Sequence, residues 1–188
     1  YQYNSEMSTM IVETTEDAWK RSGMEDATEQ ETVDYVSELY KDLLDGHPII
    51  TNRSLWRNFP MIRCETWVKD NLVILGDCAH TAHYSIGSGT KLAMEDAIAL
   101  FECCKAEADP RKALRMYDDA RRDEVERTQH AADVSLSWFE NVRRYWGMHP
   151  VQFNFSLMSR SKAITYDNLR LRDREFVRSI DRVFSEQA

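Results

Sequence analysis

Between residues 76 and 96 the sequence gathers side chains able to do chemistry: Asp77, His80, His83, Tyr84, Glu95 and Asp96, with Gly87-Ser88-Gly89 set among them. A carboxylate placed after a short apolar run can accept hydrogen bonds from hydroxyls, which suits a sugar or polyol. The glycines leave no side chain between backbone and ligand, so bare amides can be approached closely. Asp77, His80 and His83 with Glu95 or Asp96 also offer the oxygen and nitrogen ligands of a metal-dependent hydrolase centre. No second histidine cluster completes a binuclear version, because His47, His130 and His149 stand in unrelated contexts. A plainer role stays open for each: Asp77 capping a turn that the glycines make, and His80 and His83 hydrogen-bonding loop backbone.

The elements that must position these groups are a strand, a loop and a helix in one unbroken run. Leu72 to Leu75 is apolar with a β-branched centre, bounded by Asn71 and by Gly76-Asp77, and predicts a buried strand. From Thr90 onward Leu92, Ala93, Ala97, Leu100 and Phe101 recur at helical spacing, so an amphipathic helix begins at the glycine pair. Its free N–H groups and the positive end of its dipole point at whatever occupies the loop, which suits an anion or an electron-rich ring.

Gly76-Asp77-Cys78-Ala79-His80, then Gly87-Ser88-Gly89, then Glu95-Asp96-Ala97, resembles the GD motif of flavoprotein aromatic monooxygenases of the para-hydroxybenzoate hydroxylase type. The resemblance implies that Gly76 and Asp77 hold the ribityl chain of FAD. It implies that the amides around Gly87, Ser88, Gly89 and Thr90 face the pyrimidine edge of the flavin. His83 and Tyr84 stand where the family usually has a proline pair, and Ser88 and Lys91 replace its glutamine and asparagine. These departures fall on the substrate side of the pocket, so His83 and Tyr84 are the candidate catalytic residues, able to contact the substrate ring or its proton. The variant HYSIGSGTKLAMEDA, with RSLWRNFPMIRCETW upstream, is most similar to the branch acting on aryl-coenzyme A thioesters, the salicylyl-CoA hydroxylases and anthraniloyl-CoA monooxygenases.

The fold this implies is the C-terminal part of a two-domain FAD-binding α/β fold, here α+β, helix-rich with a few strands. Residues 1–68 would be a remnant of the substrate-binding domain, 69–150 the C-terminal part of the FAD-binding domain, and 151–188 a helical region or linker. The implied chemistry is hydroxylation of an aromatic ring through a flavin hydroperoxide, with NAD(P)H as co-substrate. The flavin carries the hard step while the protein supplies placement and electrostatics, so no essential nucleophile is expected. Some members of the branch continue into a reductase-like second flavin domain, a possible C-terminal partner.

A chain of 188 residues with 43% hydrophobic content can bury a core. A formal net charge of -8 argues against a nucleic-acid surface. No apolar run approaches the roughly 20 residues that span a bilayer, and no signal-peptide pattern opens the chain, so a cytoplasmic protein is expected. Cys64, Cys78, Cys103 and Cys104 lack CxxC spacing and are expected to be reduced thiols. No G-x-G-x-x-G fingerprint follows a strand near Tyr1. The expectation is therefore a missing N-terminal part of the same polypeptide, without which this chain is expected to be inactive. A helical interaction module with no site is the remaining alternative.

In chain order, Tyr1 to Glu13 predicts a strand pair or one bent strand. Thr15 caps a short helix through Arg21, and an amphipathic helix runs from Thr28 to Leu44, stopped by Asp45-Gly46. Ile49 to Val68 predicts a strand-rich connection, broken by Pro60. In it Arg53, Trp56, Arg57, Phe59, Arg63 and Trp67 could grip a phosphorylated or aromatic ligand, or simply bury rings and keep arginines wet. Asp109 caps a long helix that starts at Pro110-Arg111 and runs toward Tyr145, with an early half at the surface and a later half buried. A short helix over Val151 to Ser159 and a terminal amphipathic helix within Arg160 to Ala188 complete the expectation.

Overall fold

The computed structural model describes residues 1–186, so the end of the expected terminal helix, at 187–188, lies outside the described residues. The chain divides into two compact units, Tyr1–Asn58 and the remainder from Phe59.

In the first unit Thr15 accepts the Ala18 N–H and starts α1 (Glu16–Arg21). A reciprocal capping box starts α2 (Glu29–Leu39): Thr28 Oγ1 accepts the Glu31 N–H at 3.3 Å while Glu31 accepts the Thr28 N–H at 2.8 Å. The single helix expected to reach Leu44 is broken at Tyr40, and α3 (Lys41–Leu44) is a separate turn. Leu39 and Leu43 are exposed, so continuing the stripe buries nothing, and short helices without packing are marginal. The strand pair expected over Tyr1 to Glu13 is one bridge, Gln2 with Ser8, around a turn closed by Asn4 Oδ1.

The second unit begins with a strap, 59–67, that was expected to be strand-rich and is irregular instead. Its backbone bonds go to a loop: Cys64 N–H donates to Ala79 at 2.9 Å, and Ile62 accepts from Thr81 at 3.0 Å. Only Val68–Lys69 (β1) is strand, paired antiparallel with Leu72–Val73 (β2) across a turn with Asp70 at φ 56°. The buried strand expected over Leu72 to Leu75 is thus half as long, and it is not buried, since Leu72 is exposed and Val73 half-buried. Ile74 still donates to Trp67, but Leu75 is extended outside any ladder.

The helix α4 (Gly89–Ala106) packs along α5 (Pro110–Glu140), which opens as expected with Asp109 accepting the Arg111 N–H and Pro110 in the first turn. Leu92, Tyr117, Val125 and Ala132 meet Trp67 of the strap to form the core. Burying each large side chain is worth ~1.5–3 kcal/mol. Helix α5 stops at Glu140, and a 3-10 turn over Val142–Tyr145 ends the run. Trp138 stacks on Tyr145 and donates to Ser156 of α6 (Pro150–Ser159) at 2.9 Å. The expected terminal helix is two helices, α7 (Tyr166–Arg172) and α8 (Arg174–Glu186). Asp173 divides them because its side chain accepts the Phe176 N–H, which makes it a start signal rather than a helix interior residue. The result is a helix-rich α+β chain in which, among the described residues, no helix is long and apolar enough to cross a membrane.

Candidate functional site

Gly76 has φ 58°, a left-handed conformation that glycine adopts without a Cβ penalty. A Cβ there would come within 3.1 Å of the Ala93 Cβ, so the absent side chain also lets the turn rest directly on α4. Gly76–Cys78 is a 3-10 turn, and Asp77 within it is exposed. Among the described residues nothing donates to the Asp77 carboxylate. The first plain role considered for it, capping its own turn, is not what it does, since that turn has no side-chain cap.

What holds the turn is Asp96. Fully buried, it accepts the Gly76 N–H at 3.0 Å, His80 Nε2 at 2.7 Å and Arg121 Nε at 2.9 Å. Burial by itself pushes this carboxyl up. The bonds from His80, Gly76 and Arg121 outweigh burial and hold it below the ordinary carboxylate range. Arg121 continues to Glu95 at 3.1 Å, and Glu95 pairs with Lys91 at 2.6 Å. The structural role open to His80 is therefore realised through a carboxylate rather than through loop carbonyls. Gln129 takes the carbonyls: its Nε2 donates to Ile62 and Thr81 at 2.9 and 2.8 Å, which ties the strap to the loop from α5.

Further along the loop, Gly87 is also left-handed, at φ 63°, and a Cβ at Gly87 or Gly89 would meet no protein atom within 4 Å. Ser88 does not cap α4; its hydroxyl turns back to the Ile86 carbonyl. Among the described residues the N–H groups of Gly89, Thr90 and Lys91 have no protein acceptor. An 18-residue helix therefore offers free donors and its positive end to open space.

Between the two lies His83-Tyr84. His83 is buried and its Nδ1 accepts the Ser85 N–H at 3.3 Å. Its ring stacks on Tyr84 at 4.5 Å, and Phe59 meets both rings edge-on. Tyr84 is the more accessible of the pair.

Other expectations are corrected. The metal reading fails on geometry, because among the described residues no three His, Cys, Asp or Glu side chains come together to hold an ion. Asp96, offered as a ligand, is spent on Gly76, His80 and Arg121. Of the cation and aromatic set, Trp67 is buried core beneath Arg122 at 4.6 Å, and Arg63 pairs with Asp133. Ala97 and Phe101, expected on the apolar stripe of α4, are exposed. The early half of α5, expected at the surface, buries Ala113, Leu114, Tyr117 and Arg121. The four cysteines are free thiols.

Asp96 and Arg121 carried a signal that periodicity could have caught. Asp96 stands four residues after Leu92 and four before Leu100, and Arg121 falls between Tyr117 and Val125 at helical spacing. A charge on each of two facing stripes predicts a buried pair.

A turn presenting an unengaged carboxylate, seated one helical turn inside a helix whose first amides are free and uncovered, fits a polyol-bearing group with an electron-rich ring. The FAD binding domain family matches residues 2–132, well over half of the chain, and the chain belongs to that family. Its relatives are flavoprotein aromatic monooxygenases. A salicyloyl-CoA 5-hydroxylase from Streptomyces sp is 41% identical over 192 residues, covering 96% of this chain and 37% of that protein. A 3-hydroxy-4-methyl-anthranilyl-(aryl-carrier protein) 5-monooxygenase from Streptosporangium sibiricum is 45% identical over 107 residues, covering 57% and 30%. Protodeoxyviolaceinate monooxygenase from Chromobacterium violaceum is 30% identical over 165 residues, covering 87% and 44%. The chain spans less than half the length of each of these relatives.

Proposed function

We propose that this chain is the C-terminal part of an FAD-dependent monooxygenase that hydroxylates the aromatic ring of an aryl-coenzyme A thioester. In this reading 1–68 derives from the substrate-binding part, 69–150 from the flavin-binding part, and 151–188 is an added helical region. The observation that carries the reading is the pairing of the Asp77 turn with the bare end of α4. Gly76 is held to Asp96 and against Ala93, so Asp77 is presented outward on a rigid turn.

FAD, reduced by NAD(P)H and reacting with oxygen, would supply the oxygen-transfer chemistry. Asp77 would accept hydroxyl hydrogens of the polyol chain, and Gly87, whose open side meets no protein atom, would leave the approach clear. The N–H groups of Gly89, Thr90 and Lys91, beside Ser88, would donate to an electron-rich ring edge placed there, helped by the helix dipole. His83 and Tyr84 border the substrate side, where the Tyr84 hydroxyl can meet a phenolic proton and the stacked His83 ring sets its direction. The similarity to a salicyloyl-CoA 5-hydroxylase over 96% of the chain supports a thioester substrate.

The test is flavin retention by the full-length polypeptide. Asp77→Ala is expected to weaken FAD binding about tenfold or more, the scale of losing hydrogen bonds to a charged acceptor. Undiminished flavin after exhaustive desalting would overturn the assignment. Salicyloyl-CoA should perturb the flavin spectrum of the wild-type protein.

A further inference from the structure

The turn that follows His83-Tyr84 is anchored from outside the residues that the family model matches. Arg160 closes α6, beyond the match at 2–132, and its guanidinium reaches into the loop. One terminal nitrogen donates to the Ser85 carbonyl at 2.6 Å and the other to Leu157 at 2.6 Å. Nε donates to the hydroxyl of Ser135 on α5 at 2.9 Å, and the guanidinium plane lies over Phe139 at 5.0 Å. Ser135 is fully buried, and its hydroxyl stands 2.9 Å from that of Ser85.

Ser85 is thus held on all its polar atoms. Its carbonyl is taken by Arg160, its hydroxyl by Ser135, and its N–H by His83 Nδ1. His83 in turn carries Tyr84 by stacking. A displacement of the guanidinium passes through one residue to the two rings on the substrate side. Gly87, left-handed and without a neighbour on its open side, gives the turn a place to pivot once that anchor is lost.

We propose that Arg160 is a positioning residue that sets the His83-Tyr84 pair, so that the segment 133–160 governs how the substrate ring is seated. This rests on the reading of His83 and Tyr84 as the substrate side of a flavin site. A fork of N–H donors in one plane is needed to reach a carbonyl and a hydroxyl together, which a lysine ammonium cannot reproduce.

The experiment uses the full-length polypeptide loaded with FAD, as wild type, Arg160→Met, Arg160→Lys and Ser135→Ala. Hydrogen exchange is followed in peptides covering 83–87 and 76–81. Arg160→Met is expected to speed exchange about tenfold or more in the first and leave the second unchanged. Its flavin content should stay within about twofold of wild type. With salicyloyl-CoA, kcat should fall more than KM rises, because a misplacement of about 1 Å can cost a hundredfold in rate. Arg160→Lys should restore little, and Ser135→Ala should show the same pattern more weakly. Equal exchange in both loops, or kinetics unchanged in a yellow, folded Arg160→Met, overturns the proposal. Where Arg160→Met does not accumulate, Arg160→Lys and Ser135→Ala decide by the same two readouts. A wild-type polypeptide that takes up no flavin removes the underlying reading before any variant is made, and the proposal with it.

Discussion

The two loops that flank the start of α4 are fixed by opposite means. The 76–81 loop is held by charge: a sealed carboxylate receives a backbone N–H, an imidazole and a guanidinium, all from within residues 76–121. The 83–87 loop is held by hydroxyls and one guanidinium that arrives from Arg160. The first anchor sits inside the family match and the second reaches beyond it. On the proposed reading, the flavin side is anchored within the residues that the family model matches and the substrate side from beyond them.

The contrast can be broken most forcibly at Asp96. Asp96→Ala leaves His80, the Gly76 N–H and Arg121 Nε buried without an acceptor, with Arg121 held by Glu95 alone, and is expected to cost ~3–5 kcal/mol in chemical denaturation. If that loss were matched by removing Ser85 or Ser135, the two loops would not differ in kind. Acid probes the same carboxylate more gently. The folded carboxyl titrates below its unfolded value, so its contribution is fully present above about pH 5, where the unfolded carboxyl is ionised, and drains away as pH falls through the folded value. Asp96→Asn should flatten that acid limb of the stability profile, and an unchanged limb would remove Asp96 as its source. Gly76→Ala is next in size. A side chain at φ 58° and 3.1 Å from Ala93 should cost ~1–3 kcal/mol and loosen flavin binding before substrate binding. The smallest effect is expected from Ser85→Ala, about 0.5–1.5 kcal/mol for one hydroxyl bond, with flavin content unaffected. A larger loss of flavin in Ser85→Ala than in Gly76→Ala would reverse the comparison.

Much of this was legible in residue order because it is local. The caps at Thr15, Thr28 and Asp109, the glycine opening of α4 and the turn after Leu75 are written within a few residues. The failures are non-local. The strap's sequence alternates like a strand, yet its partners are the loop carbonyls and amides at 79–81 and the side chain of Gln129. The helix break at Tyr40 follows from what the flanking turn can bury, which periodicity does not weigh, while the break at Asp173 is a local cap that the charged run around it obscured. The Asp96 and Arg121 pair was visible only as polar residues on apolar stripes. The reach of Arg160 to Ser135 and Ser85 gave no local sign, since these partners lie 25 and 75 residues away.

Trp67 gives the strap a built-in lamp. Its indole is shut away from water, hydrogen-bonded to Cys64, and lies 5.0 Å from the His80 ring. Emission from an indole so enclosed is blue, and it reddens when solvent reaches the ring. With Trp19, Trp56, Trp138 and Trp146 replaced by phenylalanine, the parting of strap from loop becomes a colour change that needs neither label nor cofactor.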